Sequence, residues 1–194
     1  MNLQLTHSLY LATGNNRDVY LHPMDDQVCI KIQKEHGDQH NILEAKFLEK
    51  HHHKIFPQYY GMVSTNLGDG LAIGLVKDFD GSISKSLEDY VESQEVSESE
   101  AKVYIEFIGR ECLRNNFILG DDGLQNILLK KERDGSIHPI LIDGFGPKNS
   151  SFRYVLRELI PPLTKFKTRK HIGVMFKRLE KTLNKLNSES KVLS

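Results

Sequence analysis

The sequence predicts an α+β fold in two lobes, a small antiparallel sheet with one helix over residues 1–80 and a reduced, mainly helical lobe over residues 81–194. Three observations carry this. Short runs of alternating apolar residues separated by turn formers fill the first third. One amphipathic helical stretch interrupts them at residues 39–51. From Ser97 onward the apolar spacing is helical apart from one short hairpin.

Residues 8–13, 18–22 and 28–32 read as strands, punctuated by Gly14-Asn15-Asn16 and by the turn His22-Pro23-Met24-Asp25-Asp26. In residues 39–51, Ile42, Leu43, Phe47 and Leu48 recur at helical spacing without proline or glycine. The closing His51-His52-His53 run reads as a solvated helix end, because consecutive side chains point in different directions. Strands at 58–63 and 71–76 flank the turn-rich loop Asn66-Leu67-Gly68-Asp69-Gly70, and Lys77-Asp78-Phe79-Asp80-Gly81 ends the strand pattern, which puts a lobe boundary near residue 80. Ser97 with Glu100 forms a capping box for a helix reaching about Asn115, its apolar side made by Ala101, Tyr104, Ile105, Ile108 and Cys112. Residues 126–130 and 139–143 flank Asp134-Gly135, a dipeptide suited to a type I′ hairpin turn. A last helix carries Ile172, Met175, Phe176, Leu179, Leu183 and Leu186 on one face.

With 39% hydrophobic and 27% charged residues the chain has a globular composition, and its formal net charge of +0 gives it no overall attraction for nucleic acid or anionic membrane. Contact with RNA, DNA or acidic lipid is confined to the Lys/Arg-rich C-terminal segment, whose apolar stripe points first to core packing. Cys29 and Cys112 are too few for a disulfide scaffold and read as reduced thiols. Residues 1–14 lack the layout of a signal peptide, and no apolar run approaches the roughly 20 residues of a membrane span, so a cytoplasmic location is expected.

Two places carry candidate chemistry. Asn126 and Asp143 are equidistant from Asp134-Gly135, so a two-residue turn there sets them opposite each other at the open end of an apolar hairpin. Their carboxamide and carboxylate oxygens suit a hard cation such as magnesium, whereas the plainer reading is a second turn at Asp143-Gly144 and a strand cap at Asn126. In the strand around Lys31, alternation places Val28, Ile30 and Ile32 on one face and Cys29, Lys31 and Gln33 on the other. Lys31 is then either a snorkelling edge residue or, with Glu44 of the next helix as ion-pair partner, a phosphate-facing ammonium.

The order of these residues resembles the protein-kinase motif set. Val28-Cys29-Ile30-Lys31 is similar to the V-A-I-K strand, and Glu44 falls where the pairing glutamate belongs. Asp121 to Asn126 keeps the catalytic-loop spacing, Asp143-Gly144-Phe145-Gly146 resembles the D-F-G metal motif, and Gly14 lies at the middle position of the glycine-rich loop. The stretch from Leu11 to Pro23, Asp78-Phe79-Asp80-Gly81 and Gln125-Asn126-Ile127-Leu128 more closely resemble the bacterial family called PhoP regulatory network protein YrbL. The resemblance implies a two-lobed protein-kinase-like fold and an ATP- and Mg2+-dependent phosphotransferase acting on an unknown protein or small-molecule hydroxyl acceptor. It implies cofactor binding by Gly14, Lys31 and Glu44, proton acceptance by Asp121 with Lys31 on the phosphates, and metal ligation by Asn126 and Asp143. The alternative is a pseudokinase-like regulatory module that binds nucleotide or a protein partner without turnover.

Departures from the pattern are specific. Leu119 and Gly120 replace the histidine and arginine before the catalytic aspartate, Arg17 stands at the third glycine position, and Gly144 interrupts the metal motif. Fewer than 50 residues follow Gly146, so the peptide-docking part of a kinase C-terminal lobe is expected to be absent or pared to one or two helices.

Overall fold

The computed structural model describes residues 2–34, 39–146 and 161–192. It is α+β, with an antiparallel five-stranded sheet in the first part of the chain and a two-stranded hairpin among helices in the second. The sheet comprises β1 (Tyr10–Thr13), β2 (Arg17–His22), β3 (Asp25–Gln33), β4 (Tyr59–Thr65) and β5 (Gly68–Gly74), in the spatial order β1-β2-β3-β5-β4. Helix α1 (His40–Lys50) lies between β3 and β4 in sequence, and α2 (Leu87–Glu92), α3 (Glu98–Arg114), β6 (Ile127–Lys131), β7 (Ile137–Leu141) and α4 (Pro161–Val192) follow.

β3 is the central strand, and its alternation sorts the two cores. Ile30 and Ile32 pack outward against Leu3 and Leu5, whose segment is tied to the end of β4 by the Leu3 N–H to the Ser64 carbonyl at 2.9 Å and the Leu5 N–H to Asn66 Oδ1 at 2.7 Å. Cys29 faces the other way, into a continuous core with Phe47 and Leu48 of α1, Ile105 and Ile108 of α3, and Met175 and Leu179 of α4. Both cysteines are free and buried, and burial pushes the Cys29 thiol up to about 11 and the Cys112 thiol up to about 12. Neither is a thiolate at neutral pH.

Turns are tighter than the sequence suggested. β2 and β3 close through Pro23-Met24, with His22 paired to Asp25, and β4 and β5 close through Asn66-Leu67, with Thr65 paired to Gly68. Gly68, directly after Asn66-Leu67, has φ +101°, the left-handed conformation that glycine adopts without a Cβ penalty. The stretch at Asp78 is a third tight turn: Asp78 Oδ1 accepts the Lys131 N–H at 3.0 Å and the Ser84 hydroxyl at 2.5 Å, and the Phe79 N–H reaches the Lys131 carbonyl at 3.0 Å. This segment is therefore bolted to the end of β6.

The capping box at Ser97 and Glu100 is present, with the Ser97 N–H donating to Glu100 Oε2 at 2.8 Å. The sequence reading missed α2, which has a shorter version of the same box at Ser86 and Asp89 and buries Leu87, Tyr90 and Val91. The histidine run is only partly solvated: His51 and His53 are half-buried against Phe117, with ring centroids 5.2 Å away in each case, while His52 is exposed.

The register expected for the second hairpin is wrong by one residue. Ile127 pairs with Leu141 and Lys131 with Ile137, and Asn126 lies opposite Ile142, whose N–H donates to the Asn126 carbonyl at 2.9 Å. Asp134-Gly135 does not form a two-residue turn. The loop runs Arg133-Asp134-Gly135, closed by the Glu132 N–H to the Ser136 carbonyl at 2.9 Å, with Gly135 at φ +83° as in three-residue hairpin loops. Asn126 and Asp143 thus fall outside the ladder, on a 3-10 turn (Leu124–Asn126) and a bend.

Leu179 is 1% exposed, and its side chain anchors α4 in the core. Leu179→Ala is expected to lower unfolding free energy by about 2–5 kcal/mol in urea titration. A change under about 0.5 kcal/mol, the range of unremarkable surface substitutions, would mean that α4 is not part of the cooperative core.

Candidate functional site

A cleft of about 610 Å³ brings together every residue singled out from the sequence: Gly14, Lys31, Glu44, Asp121, Asn126 and Asp143 all line it. The β1–β2 turn forms the roof, the 121–126 and 142–145 segments form the floor, and β3 and α1 form the back.

At the back, Lys31 is flanked by Val19 of β2 and Leu71 of β5, so it cannot be an edge residue. It is 5% exposed, and its Nζ donates to Glu44 Oε1 at 2.8 Å and to the Ile142 carbonyl at 2.7 Å. α1 presents Asn41 and Glu44 on one helical face. Asn41 Nδ2 donates to the Lys31 carbonyl at 2.8 Å, which fixes the helix against the strand beside the ion pair. Nothing in the sequence reading flagged Asn41, although its spacing from Glu44 places it on the same face.

Arg17 contributes most that was missed. In the sequence it stands at the third glycine position, and in the structure it is 8% exposed and crosses from the start of β2 to the floor. Its Nη1 donates to Glu44 Oε2, and its Nη2 donates to Asp143 Oδ2 at 2.6 Å. Glu44 therefore holds both buried cations, one on each oxygen. Burial opposes the charge on Arg17, but Glu44 and Asp143 outweigh it and raise the guanidinium pKa further above its ordinary value. For Asp143 burial likewise opposes ionisation, while Lys31 and Arg17 win and pull the carboxyl down to about 2.

The floor is a pair of backbone segments joined edge to edge. The Gly120 and Asp121 N–H groups donate to the Gly144 carbonyl at 2.7 and 3.0 Å, and the Gly146 N–H donates to the Ile118 carbonyl at 3.0 Å. Gly144 has φ +76°, and a Cβ there would lie 2.5 Å from Asp121 Cβ and 3.2 Å from Asn126 Nδ2. The glycine that interrupts the metal motif is what lets the two segments meet. Asp121 Oδ1 accepts the Asp122 and Gly123 N–H groups at 2.6 and 3.2 Å, and Asp122 is held in turn by Arg178 at 2.7 Å and His171 at 3.1 Å from α4. On the roof, Lys34 Nζ donates to Thr13 Oγ1 and to the Gly14 carbonyl, both at 2.7 Å.

Comparison with known proteins gives this chain its relatives. The family described as PhoP regulatory network protein YrbL matches residues 3–183. The chain belongs to that family. It is similar to the YrbL protein of Escherichia coli (strain K12), with 28% identity over 154 residues that cover 74% of this chain and 73% of the relative. It resembles the YrbL protein of Shigella flexneri to the same extent. Among the described residues no helix is long and apolar enough to cross a membrane, and no three His, Cys, Asp or Glu side chains converge as a metal cluster.

Two outcomes are expected from this geometry. Glu44→Gln leaves two buried cations without their shared carboxylate and is expected to cost about 3–5 kcal/mol in denaturant unfolding; a loss under about 1 kcal/mol, the scale of an exposed ion pair, would mean the pair is solvated in solution. Because the Asp143 value lies below its ordinary 3.8, its contribution to stability is complete above about pH 4 and is lost as the pH falls through about 2. The stability difference between wild type and Asp143→Asn is expected to shrink across that window, and a pH-independent difference would remove the ion pairs as its source.

Proposed function

We propose that this protein is an ATP- and Mg2+-dependent phosphotransferase of protein-kinase-like fold, acting on a hydroxyl acceptor. The observation that carries the reading is the buried Lys31–Glu44 pair at the back of a cleft whose floor holds Asp121, Asn126 and Asp143 and whose roof holds Gly14. A paired lysine beside oxygen donors suits nucleotide phosphates bridged by a hard cation, and the cleft volume is in the range of ligand sites.

The donor chemistry fits. Asn126 supplies a carboxamide and Asp143 a carboxylate, both suited to magnesium, and Asp143 is ionised at neutral pH. Bound ATP with magnesium would supply the phosphoryl group and neutralise its charge. The chain's own residues would do the positioning. Lys31, fixed by Glu44 and the Ile142 carbonyl, would face the phosphates, and the Asp121 carboxylate, its Oδ1 oriented by two backbone N–H groups, would take the acceptor proton.

One observation favours the second reading, a pseudokinase-like module that binds without turnover: Arg17 already occupies Asp143 Oδ2. Thermal shift and phosphate release separate the two. ATP with magnesium is expected to raise the melting temperature of wild type and not of Lys31→Ala. Asp121→Asn is expected to keep that shift while turnover falls by about 10²- to 10⁴-fold. A shift without turnover in wild type favours the binding module, and no shift at all removes the nucleotide site.

A further inference from the structure

Among the described residues, the charged side chain of Arg17 links the roof, the back and the floor of the cleft. It leaves the sheet just after the Gly14-Asn15-Asn16 turn, passes Asn41 with Nη1 3.4 Å from Asn41 Oδ1, binds Glu44, and ends on Asp143. The Gly144 N–H donates to Asp143 Oδ1 at 2.6 Å and Arg17 to Oδ2 at 2.6 Å, so each oxygen of the carboxylate holds a donor. Two cations, Lys31 and Arg17, face two anions, Glu44 and Asp143, and these four charges balance one another without a ligand, while Asp121 adds a third carboxylate to the cleft.

We propose that Arg17 is a built-in counter-ion that competes with divalent metal for Asp143, so that the cleft admits metal together with phosphate and not before it. The proposal rests on the nucleotide-site reading in taking Asp143 as the metal-binding carboxylate. A guanidinium and a divalent ion on one carboxylate oxygen repel each other, so each weakens the other's hold on Asp143. Glu44 keeps a partner in Lys31 when Arg17 departs, so the move strands no buried carboxylate. A polyphosphate entering under the roof offers the guanidinium two anionic oxygens for bidentate pairing, and that exchange frees Asp143 Oδ2. Metal and phosphate then favour each other's binding, with Arg17 as the coupling element.

The residue at this position therefore governs whether a cation reaches Asp143 without phosphate. A small residue there would leave Asp143 open to free metal. A lysine keeps the charge but lacks the fork that reaches Glu44 and Asp143 at once.

The test titrates Mn2+, without nucleotide, into wild type, Arg17→Met, Arg17→Lys and the double variant Arg17→Met/Asp143→Asn, and reads free Mn2+ by electron paramagnetic resonance. Arg17→Met is expected to bind Mn2+ at least about tenfold more tightly than wild type, a difference of about 1.4 kcal/mol by the conversion of fold-change to free energy. Arg17→Lys is expected to fall between them, and the double variant to lose the gain. Equal or weaker binding by Arg17→Met, or a gain that persists in the double variant, overturns the proposal. Should Arg17→Met fail to fold, wild type answers by guanidinium NMR. The protected Arg17 Nη–H signals, assigned by their loss in Arg17→Lys, are expected to survive magnesium alone and to be displaced by magnesium with ATP. Signals that stay put while ATP is bound overturn it. If ATP produces no thermal shift, the nucleotide reading falls, and the Mn2+ titration still decides whether Arg17 guards Asp143.

Discussion

A single buried carboxylate organises the centre of this molecule. Glu44 sits on α1 and holds Lys31 of β3 on one oxygen and Arg17 of β2 on the other, while Arg17 carries the connection to Asp143 beyond β7. Buried charges are stable only when paired and hydrogen-bonded, so each member fixes the others. A shift of the sheet, the helix or the floor alone breaks at least one of these pairs. This constraint explains why α1 buries Asn41 and Glu44 on a face that would otherwise be apolar.

Aromatic packing supports the charged network from below. Phe145, in the floor segment, stacks against Phe47 of α1 with ring centroids 5.3 Å apart and against Phe56 at 4.6 Å, and Phe117 closes the group. The same short stretch of chain therefore places Asp143 in the cleft and Phe145 in the core. Gly146, at φ +73° with the Phe47 ring about where a Cβ would touch it, lets the backbone pass that ring. α4 joins the floor from the other side through Asp122, and in that way the basic C-terminal segment becomes part of the support for Asp121.

The sequence by itself determined the antiparallel sheet, the capped α3 and the strand face that Lys31 shares with Cys29, and the order of residues along the chain, through its resemblance to a motif set, made Glu44, Asp121, Asn126 and Asp143 candidates. Strand alternation and helix periodicity are local properties, and they survive into the fold because burial acts on the same two periods. Tertiary structure alone decided the hairpin register, since Asp-Gly suits both a two-residue turn and the last two positions of a three-residue loop. Only pairing with the rest of the floor selects between them. It alone decided that Asn126 and Asp143 meet in one cleft through a turn and a bend and not across a ladder, and that Gly144 is required by the approach of Asp121. Above all it decided the role of Arg17. Read along the chain, an arginine between Asn16 and Asp18 is a polar residue at the start of a strand. Its partners lie 27 and 126 residues away, and charge pairing at such separation has no local signature.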